Sequence, residues 1–80
     1  MARYFFHLRD GLDNLLDPEG RELADLREVK RVALSCARDT LSHELRDGRL
    51  DLAYRIDVEN NSGTIVHTLP LRDAFEVVRP

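Results

Sequence analysis

Eighty residues, 42% of them hydrophobic and 34% charged, make one folded domain spanning residues 1–80, too short for a second domain and too apolar for a disordered chain. A formal net charge of −3 argues against general polyanion binding, because a basic excess supplies most non-specific affinity for phosphates. The single cysteine cannot close an internal disulfide, no apolar run reaches membrane-spanning length and no signal-like segment opens the chain, so the cytoplasm is the expected location.

Arg3 to Arg9, RYFFHLR, alternates with period two: Tyr4, Phe6 and Leu8 form an apolar side, and Arg3, Phe5, His7 and Arg9 form the other. This is a strand whose apolar side faces the core. Asp10-Gly11 breaks the pattern, and Asn14 to Asp17 is expected to return as a short second strand across a loose hairpin. Asp17-Pro18-Glu19-Gly20 carries Asp, Pro and Gly at the first, second and fourth positions favoured in a type I turn. The chain then runs through Arg21 to Ala24 into a helix.

That helix, Asp25 to Gly48, is the only multi-turn one the sequence offers. At 100° per residue, Leu26, Val29, Ala33, Cys36, Ala37, Leu41 and Leu45 fall on one arc, and Arg27, Glu28, Arg31, Ser35, Arg38, Ser42 and Arg46 lie opposite. So wide an arc suits a helix lying across a sheet. Asp25 is the expected N-cap, with Glu28 reaching back to the Asp25 N–H, and Gly48 closes the other end in the left-handed conformation.

Arg49 to Leu52 reads as a connector. Ala53 to Glu59 alternates again, with Tyr54, Ile56 and Val58 opposed to Arg55, Asp57 and Glu59 on a solvated side. Asn60 to Gly63 is a hairpin loop and Thr64 to Leu69 the returning strand, with Ile65, His67 and Leu69 expected inward and Val66 outward. Pro70 ends it, and Leu71 to Val78 is long enough for one or two helical turns. The expected architecture is α+β: an antiparallel sheet of about four strands, ordered second, first, third, fourth, with the long helix on one face.

Arg3-Tyr4-Phe5-Phe6 before Asp10-Gly11, the Asp17-Pro18-Glu19-Gly20 turn with Leu23, the alanine-bearing helix ending in Arg49-Leu50-Asp51, and Leu69-Pro70-Leu71-Arg72-Asp73-Ala74 carry a resemblance. Together they resemble a bacterial family of short single-domain proteins classed as a domain of unknown function. The resemblance spans nearly the whole chain and implies one intact small domain. It implies no activity, cofactor or catalytic residue.

Few residues invite chemistry. Cys36 sits on the apolar arc, where a free cysteine packs as a small hydrophobe. His43 and Asp39 have a spacing that serves a surface pair as well as a shared metal, and His7 could meet His67 across neighbouring strands, but without a third ligand no metal site is expected. The four glycines are isolated, so no phosphate loop exists, and one helix on a small sheet offers little cleft for acid–base work. Neither enzymatic activity nor a cofactor is expected. The informative surface is the helix-free side of the first strand, where Arg3, Phe5, His7 and Arg9 interleave cations, an imidazole and a ring, with Arg55 beside them. Such a face suits a second copy of the chain or another protein, the leading expectation being a homodimer; the alternative is weak binding of single-stranded nucleic acid by the same face.

Overall fold

The computed structural model describes residues 1–80. In chain order the elements are β1 (Ala2–Arg9), β2 (Asn14–Leu15), β3 (Arg21–Leu23), α1 (Leu26–Arg46), β4 (Arg55–Asn60) and β5 (Ile65–Pro70), followed by a 3-10 turn at Leu71–Asp73. The strands form one antiparallel sheet in the order β2-β1-β4-β5, with β3 also pairing β1. The expected order holds, and the strand count becomes five. No helix is long and apolar enough to cross a membrane.

β1 is interior because both of its edges are used. On one edge Tyr4 to Arg9 pair with β4, while β2 covers Leu8 and Arg9 on the other edge and β3 covers Ala2 to Tyr4. β3 corrects the reading of Arg21 to Ala24 as a plain entry to the helix. Three residues are too few to show a period of two, and they become a strand only because the Asp17 turn lays them alongside β1.

The core lies between the sheet and α1. Phe6, Ile56 and Val58 from the sheet meet Val29, Val32, Ala33, Ala37 and Leu41 from the helix, with Leu23, Leu71 and Ala74 closing the margins. A helix of 21 residues is about 31 Å long at 1.5 Å per residue. A six-residue strand such as β4 spans about 20 Å. The helix therefore overhangs the sheet, which is why Leu26 and Leu45 on its apolar arc remain 46% and 62% exposed. Cys36 also departs from its expected burial: it packs against the core from the side and is only half-buried.

The helix caps follow the sequence with one shift. Asp25 accepts from the Glu28 N–H at 2.9 Å, and Glu28 Oε2 reaches back to the Ala24 N–H at 3.1 Å, one residue earlier than expected. Gly48 closes the far end with φ +82°.

The facing of β5 changes partway along. His67 opposes Val58 and Leu69 opposes Ile56, both on the helix side, but the register then slips so that Ile65 opposes Glu59. The extra residue of this bulge is Val66, which packs against the core while Ile65 turns out to solvent. Ile65 is thus not inward and Val66 is not outward. Pro70 ends β5 opposite Arg55, and the ladder resumes at the next residue, where the Leu71 N–H donates to Tyr54 O at 3.0 Å. In an antiparallel pair hydrogen-bonded positions alternate, so the missing Pro70 N–H falls on the outward edge and costs no ladder bond.

Beyond β5 there is a single 3-10 turn rather than a helix reaching Val78. It folds toward α1, where Arg38 Nε donates to Ala74 O at 2.9 Å and Leu71 and Ala74 are buried. The other face of the sheet carries no such covering segment.

Candidate functional site

The helix-free face follows from the period of β1. Arg3, Phe5, His7 and Arg9 stand on it, and the register sets Phe5 opposite Glu59, His7 opposite Asp57 and Arg9 opposite Arg55 on β4. The five residues expected to form a surface are therefore brought onto one face. Two arginines directly opposite one another would repel. Asp57 resolves this by accepting from Arg9 Nη1 at 3.1 Å and from Arg55 Nε at 3.1 Å, while Thr68 Oγ1, across on β5, donates to its other oxygen at 2.9 Å.

Asp57 is consequently only 5% exposed, on a side read from the sequence as solvated. Burial pushes its carboxyl pKa up, but the donors of Thr68, Arg9 and Arg55 outweigh burial and hold it below the ordinary 3.8. Four polar side chains thus shield one another, and the face is locked laterally.

His7 is 7% exposed and fixed through both ring nitrogens. The Asp17 backbone N–H donates to Nδ1 at 3.1 Å, and Nε2 lies 2.9 Å from Glu59 Oε2. A backbone N–H can only donate, so Nδ1 carries the lone pair and Nε2 carries the proton given to Glu59. Phe5 lies parallel to this ring, with centroids 6.4 Å apart and planes 6° from parallel. Arg3, at the end of the row, donates from Nη1 to Glu19 O at 2.7 Å. His67 lies on the other face and on a strand that does not pair with β1, so the two histidines do not meet.

One residue of the site was missed from the sequence. Asp17 sits outside β1 where β2 has ended and β3 has not begun, and its carboxylate accepts from the N–H groups of Phe6, Glu19 and Gly20 at 3.1–3.2 Å. It takes the place of a strand neighbour for Phe6 and holds its own turn. Burial raises its pKa, but the N–H groups of Gly20, Phe6 and Glu19, with His7 nearby, bring it below 3.8. Gly20 completes the device: its φ is +71°, and a Cβ there would lie 2.8 Å from Tyr4 O and 2.9 Å from the Phe5 ring. Only glycine lets the turn lie against Phe5. The Asp-Pro-Glu-Gly motif was the available signal, though it announces a turn and not the strand that the turn serves.

Elsewhere the chemistry is sparse. Burial pushes the Cys36 thiol above its ordinary 9.0, away from the thiolate that a reactive cysteine needs. No three His, Cys, Asp or Glu side chains converge so as to hold a metal ion.

Residues 3–72 match the family described as a domain of unknown function, DUF6894. The chain belongs to that family. No curated protein and no solved structure is significantly similar to it. The DUF6894 match runs from Arg3 to Arg72, and so takes in the whole of the polar face and the Asp17 turn, and ends within the 3-10 turn that seals the core.

Proposed function

We propose that this DUF6894 domain is a small cytoplasmic protein-interaction module that self-associates into a homodimer through the helix-free face around Arg3, Phe5, His7, Arg9 and Arg55. The reading assigns it no reaction and no cofactor. The observation that carries it is the course of the segment after β5, which turns to the helix side at Ala74, so that only the Asp17–Gly20 turn at one edge lies against the Phe5–His7 pair. Phe5 and the arginines are residue types enriched at interfaces. Their neighbours are already ordered by hydrogen bonds, so little side-chain freedom remains to be lost on association.

Weak binding of single-stranded nucleic acid is the second reading, favoured by the parallel rings of Phe5 and His7 beside two guanidinium groups. The acids Asp57 and Glu59 on the same face weigh against it. Sedimentation equilibrium up to several hundred micromolar tests the dimer, with Phe5→Glu expected to weaken it by about tenfold or more. A monomeric wild type overturns self-association, and association untouched by Phe5→Glu overturns the choice of face. A salt-sensitive gel shift with short RNA and a monomeric mass would favour the nucleic-acid reading.

A further inference from the structure

Away from the sheet face, the overhang of α1 creates a second surface. Leu41, Leu45, Leu50, Ala74 and Phe75 line an open groove of about 660 Å³ whose rim carries Arg38 and Arg46. That volume is in the range of clefts that seat a ligand. The lining contains no carboxylate, and Arg46 takes part in no ion pair. A locally cationic apolar groove on a chain of net charge −3 calls for an acidic, apolar occupant.

The same chain carries one. Leu12, Leu15 and Leu16 are 91%, 61% and 61% exposed, an apolar ledge set among Asp10, Asp13 and Asp17. The ledge is held rigid: Asp10 Oδ1 accepts from the N–H groups of Leu12 and Asp13 at 2.8 and 2.7 Å, and Leu15 is paired with Leu8. Ledge and groove flank the same last turns of α1, since Thr40, His43 and Glu44 face Asp13 and Leu15 on one flank while Leu41 and Leu45 line the groove on the other.

We propose that the acidic leucine ledge of one copy seats in the basic apolar groove of a second copy. Leu12 and Leu16 fill the space over Leu45 and Phe75, and Asp13 meets Arg46. A two-fold axis beside the last turns of α1 sets each ledge over the other copy's groove, so the contact occurs twice and the assembly closes. This surface is separate from the sheet face, and either can exist without the other.

Phe5→Glu serves as the background, because it weakens the sheet-face contact. Sedimentation velocity is expected to find this variant still associating with rising concentration. Leu45→Asp or Arg46→Glu, both at exposed positions, should weaken that association by about tenfold or more. Charge reversal gives the sharper reading. Arg46→Glu alone and Asp13→Lys alone each set like charges against one another and should stay monomeric, whereas an equal mixture pairs each altered groove with an altered ledge and should recover the dimer. The same mixing in a chain with Phe5 intact should give the same order, which guards against a misfolded background. A monomeric Phe5→Glu chain that retains its fold, association indifferent to Leu45→Asp and Arg46→Glu, or a mixture no heavier than its components would each overturn the contact.

Discussion

The two faces of β1 are built on different physics although their residues alternate one by one. On the helix side Phe6 meets Ile56 and Val58 from β4 and is sealed by α1, so burial of apolar area holds it. On the other side His7 and Asp57 are as buried as Phe6, yet no helix lies over them; the Asp17 turn, their neighbours' side chains and hydrogen bonds exclude water. The difference shows that a small domain with one helix can finish the second face of its sheet with polar groups, provided each finds a partner.

Substitutions on each side separate the two faces energetically. Ile56→Ala on the apolar face should cost about 3 kcal/mol, as a cavity is left under α1. The check is a lower denaturant midpoint with an unchanged slope. Gly20→Ala should cost about 2 kcal/mol, because its φ of +71° disfavours a Cβ that would also meet Tyr4 O. A cost no larger than that of Gly63→Ala would show that the turn gives way freely.

Asp57→Asn on the polar face should cost about 2 kcal/mol at pH 7, the scale of hydrogen bonds to a charged group. Its pH dependence carries the sign. The folded pKa of Asp57 is lowered, so its contribution is complete above the ordinary 3.8 and is lost as the pH falls below that value through the folded pKa. The gap between wild type and Asp57→Asn should therefore narrow on acidification, which parallel denaturation at pH 7 and pH 3 would measure. A constant gap would assign Asp57 a packing role alone. The smallest effect belongs to neither face: Asp25→Ala should cost about 1 kcal/mol through loss of the N-cap, read as a lowered melting midpoint.

These contrasts also explain what could be read from the sequence. β1, β4 and α1 were legible because each carries a sustained period, and the helix ends were legible from Asp25 and Gly48. The common face of Arg3, Phe5, His7 and Arg9 followed from the period of β1 alone. On β5, His67 and Leu69 fall inward as the alternation predicts, but the facing of Ile65 and Val66 was not legible, since a one-residue bulge reverses side-chain facing and leaves no mark in composition. Asp57 and Glu59 read as solvated because alternation separates apolar from polar but does not reveal whether a polar side chain bonds to water or to its neighbours. Asp17 was missed because its role depends on a gap between two short strands.

The pairing of β1 with β4 also bears on how the chain is made. Tyr4 pairs with Asn60 and Phe6 with Val58, so the apolar strand that opens the sheet waits for a partner more than fifty residues downstream. Folding outside the ribosome cannot complete the core until β4 has emerged, and the contacts that finish it are of high sequence separation. β2 and β3 follow β1 directly in the chain and precede α1, so both are available to the other edge of β1 before β4 is made. Once they pair, with Asp17 bonded to the Phe6 N–H between them, that edge is closed to strands of neighbouring chains.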